Sequence, residues 1–324
     1  MSGHDARPAR AGVPSPDPAG SASRVPDVTL PTTTWQDWSC TVRLVVTDPE
    51  ALIPAATDLR ALMGRVDVAS SRFRPDSELA RANARPGRPM VVSRTLIDLV
   101  ATALDEAAWS AGAVDPTLGL DLVHLGYDRD IVLVHDSSTP VGPRPGPRRR
   151  WTDVHLDDLT GVLTVPTGCA LDLGASAKAQ TADWAATELH ARYSCDVLVE
   201  IGGDLAVAGA KDDWQVVVAE RAGSAGQQVT LGAGGLATST TTIRRWRRAD
   251  HEISHILDPA TGSPANGPWR TVTVAAPSAT RANTCSTGAI VLGAGAIDWL
   301  NDARVAARLV DRQGAVVTTG GWPA

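Results

Sequence analysis

Strand-like and helix-like segments do not alternate strictly along this chain. An apolar-polar alternation predicts a half-buried strand at 42–46, and apolar residues at helical spacing predict a helix at 59–66. Ser93 is a predicted N-cap for a helix that ends near Gly112. Further strands are predicted at 162–165, 197–201, 214–219, 271–275 and 316–317, and further helices at 176–192 and 282–292. This order favours an α+β domain built on antiparallel sheet over a doubly wound fold.

Composition narrows the class of protein. With 324 residues and 43% hydrophobic content, the chain can bury one large core or two ordinary ones. A formal net charge of -6 without a broad basic face argues against a nucleic-acid partner. The four cysteines are far apart and form no C-x-x-C pair, which disfavours a zinc site and a disulfide scaffold and favours a reducing compartment.

The N-terminal segment differs in composition from the rest of the chain. Residues 1–34 are rich in proline and predict a disordered tail, which leaves 35–324 as the folded domain. The Pro/Arg-rich segment 136–150 predicts a mobile loop within that domain. No signal peptide, lipobox or membrane-spanning apolar segment is recognised, so a cytoplasmic location is expected.

One polar segment, His255–Pro264, combines an imidazole with a Pro/Gly turn. It places His255, Asp258 and Thr261 on a rigid loop, the setting in which catalytic groups concentrate. The alternative is a simple turn in which Asp258 caps its own backbone. The sequence Asp115-Pro116 repeats the same turn chemistry and is weak evidence by itself.

Two further segments are typical of anion and ligand sites. At 172–179 a small-residue turn opens a helix, where backbone amides attract anions and Lys178 adds a full charge. The spacing of a Walker A loop is absent. At the end of a buried strand, Gly202 and Gly203 allow a ligand to approach the backbone, and Asp204 can bind a hydroxyl or an amide.

The remaining motifs each have a structural alternative. Segment 70–83 surrounds Phe73 with hydroxyls and arginines that could bracket a ring and phosphates, or it is a helix start capped by Asp76 or Ser77. Hydroxyls at 238–242 precede several arginines and suit a phosphorylated ligand, or they form a polar strand edge. Asn283 and Thr287 share a helix face and offer two neutral oxygens to a hard cation.

The order and spacing of these motifs resemble the ApbE family, the FAD:protein FMN transferases. The resemblance extends from about Trp35 to the C-terminus and rests on the whole ordered set. The matching segments are Ser71 to Asn83, Asp115 to Gly119, Asp172 to Lys178, Gly202 to Asp204, Ala237 to Ser239 and His255 to Gly262.

The resemblance implies a T-fold-like α+β domain, with antiparallel sheets and flanking helices, that binds FAD and uses Mg²⁺ at the diphosphate. Such an enzyme transfers FMN to a threonine hydroxyl of an acceptor protein and releases AMP. His255 is then the candidate to accept the hydroxyl proton, Asp258 to orient it or the substrate, and Lys178 to offset phosphate charge.

The same resemblance assigns the binding residues. The implied FAD-binding residues are Ser71, Phe73, Asp115, Asp172, Gly202, Gly203, Asp204, Thr238, Ser239 and Thr261. The implied metal ligands are the Ala177 carbonyl, Asn283 and Thr287, with Asn283 where the family usually has aspartate. Because losing a carboxylate weakens the attraction for Mg²⁺, two alternatives stay open: a non-catalytic FAD/FMN-binding protein, and an FAD diphosphatase that yields FMN and AMP.

Overall fold

An eight-stranded antiparallel sheet organises the protein, whose computed structural model describes residues 23–24, 30–211, 213–221 and 223–323. The strands are β1 (Ser23–Arg24), β2 (Thr32–Asp37), β3 (Cys40–Val46), β4 (Met90–Val91), β5 (His155–Asp157), β6 (Val162–Thr164), β7 (Val197–Ile201), β8 (Asp204–Ala208), β9 (Trp214–Val218), β10 (Gln227–Leu231), β11 (Gly234–Thr240), β12 (Arg245–Arg248), β13 (His251–Ser254), β14 (Leu257–Asp258), β15 (Ser263–Pro264), β16 (Trp269–Ala276), β17 (Ala306–Asp311) and β18 (Val316–Thr319). The helices are α1 (Leu52–Ser70), α2 (Glu78–Asn83), α3 (Arg94–Trp109), α4 (Gly119–His124), α5 (Ala177–Tyr193), α6 (Ala279–Leu292) and α7 (Ala296–Asp302).

The large sheet has the strand order β18-β17-β16-β11-β8-β7-β3-β2, and each neighbouring pair is antiparallel. Two three-stranded sheets, β1-β9-β10 and β4-β6-β5, and the two hairpins β12-β13 and β14-β15 complete the β structure of the described ranges. The prediction of an α+β fold with antiparallel sheets and flanking helices is therefore confirmed.

Both faces of the large sheet are buried, and the side-chain alternation of β3 shows how. Val42, Leu44 and Val46 join the core formed with α1, α3 and α5, whereas Val45 faces the opposite core against β9 and β10. Since successive side chains of a strand point to opposite faces, one short apolar strand serves two hydrophobic cores. Around α6 and α7 a third core continues along the same sheet.

Side-chain caps position the helices near the predicted sites. The Ser77 and Ser93 hydroxyls accept hydrogen bonds from the backbone N–H groups of Ala80 and Leu96, as expected for N-caps. Thus the structural alternative for segment 70–83, a helix start capped by Ser77, is confirmed. All four cysteines are free and buried.

The predicted N-terminal tail ends earlier than expected. Strand β2 begins at Thr32 and pairs with β3, so 32–34 belong to the large sheet, and 23–24 pair with β9. The first three residues of β2 are threonines, so the strand shows little alternation of apolar and polar residues. This is why the predicted tail extended into the strand. Residues 1–22 and 25–29 of the predicted tail lie outside the described residues.

The segment 136–150 has no helix or strand in the structure, but it is attached to the body of the protein. The Arg144 and Arg148 side chains donate to Asp121 Oδ1 at 3.0 and 3.2 Å, and the Arg144 side chain is only 9% exposed. A buried carboxylate on α4 therefore holds two of the arginines of this segment. Mobility of the loop stays a prediction.

Gly235 controls the contact between β11 and the start of α6. A Cβ atom at this position would lie 2.0 Å from the Ala279 nitrogen and 2.3 Å from the Ser278 carbonyl carbon. We expect Gly235→Ala to lower the free energy of unfolding by about 3 kcal/mol, because the backbone has to move.

Gly64 on α1 provides the control for this substitution. A Cβ atom added there would meet no atom of a neighbouring segment within 4 Å, so Gly64→Ala should raise stability by about 0.5 to 1 kcal/mol. Urea unfolding of both variants tests the pair, and equal shifts would contradict it.

None of the helices in the described ranges is long and apolar enough to cross a membrane.

Candidate active site

A cavity of about 490 Å³ lies where the ends of β8 and β11 meet the first turns of α5 and α6. The opposite wall is formed by the segment after α1, by α4 and by the residues that follow it. The cavity brings together most of the predicted site residues: Lys178, His255, Ser71, Phe73, Asp115, Asp172, Gly202, Gly203, Asp204, Thr238, Ser239, Ala177, Asn283 and Thr287.

A tight turn places Asp204 at the floor of the cavity. Gly202 and Gly203 link β7 to β8 with φ angles of 62° and 98°, the left-handed region that glycine adopts without strain. A Cβ on Gly202 would also lie 2.9 Å from the Cys40 side chain. The two glycines therefore serve both the turn and its close packing, and Asp204 begins β8 with its side chain only 2% exposed.

Two side chains from different helices hold the buried Asp204 carboxylate. Lys178 Nζ donates to Oδ2 at 2.5 Å, and Asn283 Nδ2 donates to Oδ1 at 2.7 Å. A buried carboxylate is tolerated when it is paired and hydrogen-bonded, and both conditions are met here. The structure thus gives Asp204 a positioning role between α5 and α6, beyond the ligand contact predicted from the sequence.

A row of hydroxyl groups continues the polar wall along β11. The Ser239 hydroxyl lies 2.8 Å from both the Ser286 and the Thr287 hydroxyls, and Thr238 Oγ1 lies 2.9 Å from Thr273 Oγ1. Ser239 and Thr273 are buried, so these hydroxyl pairs satisfy groups that water cannot reach. The polar strand predicted as an alternative for this segment is present, and its hydroxyls face the site.

Tyr127, which was not predicted as a site residue, lies beside the predicted ring-binding segment. The Arg72 guanidinium lies 4.2 Å from the Phe73 ring centroid and 4.5 Å from that of Tyr127, and it forms a short ion pair with Asp172. Phe73 and Tyr127 have centroids 5.5 Å apart. Only long-range packing brings Tyr127 to Phe73, so spacing along the sequence carries no signal for it.

His255 enters the site with an unpaired ring nitrogen. Its backbone N–H donates to the Arg244 carbonyl oxygen at 3.3 Å, and its buried Nδ1 has no hydrogen-bond partner among the described residues. Burial, followed by the charges of Arg244 and Lys178, lowers the pKa of His255 to about 3. The imidazole is therefore neutral at physiological pH, and in that form one of its two ring nitrogens carries a lone pair.

Asp258 and Thr261 do not line the cavity. Asp258 Oδ1 accepts the Ala260 N–H at 2.9 Å, and Oδ2 lies 3.2 Å from Thr261 Oγ1. The carboxylate and the hydroxyl satisfy the turn between β14 and β15, which is the structural alternative for this segment. The roles of Asp258 at His255 or the substrate and of Thr261 at the ligand stay predictions.

Asp115 and Ser71 line the cavity, and hydrogen bonds hold the turns that carry them. The Asp115 carboxylate accepts from Thr117 and from the Trp151 N–H, and the Ser71 carbonyl accepts from Ser77. These bonds fix the backbone at two points of the wall opposite α5. Both positions agree with the predicted ligand-binding set, and the contacts that each residue makes to a ligand stay a prediction.

The three predicted metal ligands all line the cavity and offer only neutral oxygens. Asn283 donates its amide N–H to Asp204, and its Oδ1 accepts a hydrogen bond of 3.4 Å from Thr287 Oγ1. The Ala177 carbonyl accepts from Thr181 Oγ1 at 2.6 Å. This set fits a hard cation of oxygen preference whose charge is balanced by substrate phosphates. Within the described ranges, no group of three His, Cys, Asp or Glu side chains forms a separate metal cluster.

Two relatives of this chain match about 70% or more of its length. The chain is 32% identical over 279 residues to the FAD:protein FMN transferase of Treponema pallidum, covering 78% of this chain and 76% of that protein. It is 28% identical over 235 residues to the FAD:protein FMN transferase of Klebsiella pneumoniae, covering 69% of this chain and 67% of that protein.

Solved structures show the same fold. The ApbE protein of Thermotoga maritima superposes with a TM-score of 0.76 at 25% identity, covering 90% of this chain and 97% of that chain. The apo form of the flavinyl transferase ApbE of Pseudomonas stutzeri gives a TM-score of 0.73 at 25% identity, covering 90% and 95%. The family model described as ApbE family matches residues 37–309, and on these findings the chain belongs to the ApbE family.

Proposed function

We propose that this chain is an FAD:protein FMN transferase, which moves FMN from FAD to a threonine hydroxyl of an acceptor protein and releases AMP. The observation that carries the proposal is a single cavity in which a neutral imidazole lies with the Lys178–Asp204–Asn283 network. Relatives that match most of this chain carry the name of that activity.

His255 is proposed to act as the general base. The acceptor hydroxyl transfers its proton to the neutral imidazole, and its oxygen bonds to the phosphorus of the FMN half. The bond from that phosphorus to the bridging oxygen breaks, and the bridging oxygen leaves as part of AMP. The proton passes from His255 to solvent, so FAD and the hydroxyl are converted to the phosphoester and AMP with atoms and charge balanced.

Lys178 is proposed to stabilise negative charge on the reacting phosphates. Its ammonium group already pairs with Asp204 at 2.5 Å, so it is held in place before a ligand enters. A preorganised cation assists phosphoryl transfer because it needs no rearrangement as charge develops on the leaving oxygen.

A bound Mg²⁺ would neutralise further phosphate charge as a Lewis acid, and the residues proposed to hold it are Ala177, Asn283 and Thr287. The cavity lining contains five aspartates against three arginines and one lysine, which favours a divalent cation when a diphosphate enters. The lack of a carboxylate among the three ligands makes metal affinity depend on the substrate.

The remaining wall is proposed to bind FAD itself. Phe73 is 37% exposed and offers a ring face to a planar heterocycle, while Gly202 and Gly203 admit a ligand close to the backbone. Ser71, Asp115, Asp172, Thr238 and Ser239 complete the proposed FAD-binding set. The acceptor protein is proposed to approach the cavity with an exposed threonine, and the cytoplasmic location stays a prediction.

The test combines the purified protein, FAD and an acceptor domain, with MgCl₂ or with EDTA. We expect AMP release together with an added FMN mass on the acceptor, both dependent on the metal, and neither with an acceptor whose target threonine is replaced by alanine. AMP and free FMN without labelling would instead identify a diphosphatase.

A non-catalytic flavin-binding protein is the second candidate, and one observation favours it. Asn283 satisfies Asp204 with a direct hydrogen bond of 2.7 Å, so this part of the site is complete without a metal ion. FAD binding with neither AMP nor labelled acceptor would establish this candidate and refute the transferase.

A further inference from the structure

We propose that Arg244 binds the diphosphate bridge of FAD and makes the site prefer a diphosphate ligand to an uncharged flavin. This inference rests on the proposed function, and it singles out one of the arginines that follow the hydroxyls at 238–242.

The first observation is a difference among the cations that line the cavity. Lys178 pairs with Asp204 at 2.5 Å, Arg74 pairs with Asp67 at 2.9 Å, and Arg72 pairs with Asp172. The Arg244 side chain forms no ion pair or side-chain hydrogen bond with any of the described residues. Among the described cations that line the cavity, Arg244 is therefore the one whose charge no aspartate balances.

The second observation is the position of Arg244 beside the proposed base. The Arg244 carbonyl accepts the His255 backbone N–H at 3.3 Å, so the two residues are held next to each other across neighbouring segments. Burial raises the pKa of Tyr127, and Arg244 is the strongest charge that opposes this rise. Arg244 lines the cavity and is half-buried, so its charge acts on both His255 and Tyr127.

The chemistry of the group matches a diphosphate. A guanidinium presents parallel N–H donors that bind two phosphate oxygens at once, and hydrogen bonds between charged groups are the stronger class. The other lining cations have aspartate partners, so a diphosphate gains most from the one that has none. Riboflavin carries no phosphate and gains nothing from this contact.

The neighbouring Arg245 provides a matched control. It lies on the exposed β12–β13 hairpin, pairs with Glu252 at 2.8 Å and does not line the cavity. Arg245→Gln removes the same charge one residue away, so it reports on the general effect of net charge.

The experiment measures the affinities of FAD, ADP-ribose and riboflavin by calorimetry with the full chain in Mg²⁺ buffer. In Arg244→Gln we expect FAD and ADP-ribose to bind about 10- to 100-fold more weakly, with riboflavin changed less than about twofold. Arg244→Lys should recover most of the loss, and Arg245→Gln should match the wild type. A thermal melt of each variant checks folding.

Unchanged ADP-ribose affinity in Arg244→Gln, or an equal loss for riboflavin, would overturn the inference. If Arg244→Gln does not fold, the salt dependence of ligand binding to the wild type is measured instead. An ADP-ribose affinity that falls with ionic strength, with a constant riboflavin affinity, supports the role. Affinities of both ligands that do not change with ionic strength refute it. Wild-type protein that binds ADP-ribose but not FAD would refute the proposed function instead.

Discussion

Replacing His255 with glutamine is expected to lower the rate of FMN transfer by roughly 10²- to 10⁴-fold, the usual contribution of a positioned general base. Glutamine keeps a polar side chain of similar length but cannot accept the hydroxyl proton at neutral pH. FAD affinity should change little, because His255 is proposed to act on the acceptor hydroxyl. Single-turnover AMP release and an FAD titration measure the two quantities separately.

The control for His255 is Asp258→Asn. The asparagine oxygen can still accept the Ala260 N–H, and residue 258 lies outside the cavity, so transfer should stay within a few-fold of the wild type. A loss comparable to that of His255→Gln would show that Asp258 reaches the imidazole during turnover, contrary to its position in the structure.

The acid side of the pH profile gives a second check on His255. With a pKa of about 3 in the free protein, the imidazole stays neutral as the pH falls from 7 to 5. Since kcat/KM for FAD reports the free enzyme, it should not show a protonation step near the ordinary histidine pKa of about 6.5. A fall centred near that value would contradict the lowered pKa.

Replacing Asn283 with aspartate is expected to make stability depend on a divalent cation. The asparagine amide donates to the buried Asp204 carboxylate at 2.7 Å, and a second carboxylate would lose that bond and repel the first. Without metal, we expect the free energy of unfolding at pH 7 to fall by about 2 to 4 kcal/mol, and Mg²⁺ to restore part of it. Thermal melts in EDTA and in a MgCl₂ series measure both effects.

Asn283→Ala is the matched control for the aspartate variant. It removes the same hydrogen bond without adding a charge, so it should lose stability and show no greater response to Mg²⁺ than the wild type. If Asn283→Asp melts at the same temperature in EDTA and in MgCl₂, its carboxylate does not recruit the metal, and the three proposed ligands would lose their support.

Sequence reasoning found the parts of the site that local chemistry marks. The glycine pair at the end of β7, the helix start near Lys178 and the shared helix face of Asn283 and Thr287 were all predicted, because small residues and helical spacing act over a few positions. Strands β3, β7, β9 and β16 were predicted from runs of apolar residues or from apolar-polar alternation, which are also local signals.

The rest depended on contacts between distant segments. Strand β8 was missed because its five residues follow a two-residue turn and continue an already apolar run, and β17 follows a short helix without a clear boundary. The pairing of Arg72 with Asp172 and the approach of Tyr127 to Phe73 join segments far apart in sequence. At Asp258 the structure shows the capped turn that the sequence also allowed, and the orienting role stays a prediction.

The central placement of β8 makes the two walls of the cavity mechanically unequal. Asp204 begins a strand held by β7 on one side and β11 on the other, so the wall that carries Lys178 and Asn283 can shift only if the sheet itself opens. The facing wall consists of loops and a short helix around Phe73 and Asp130. We therefore expect the facing wall to move more than the wall anchored on β8 when a ligand enters the cavity.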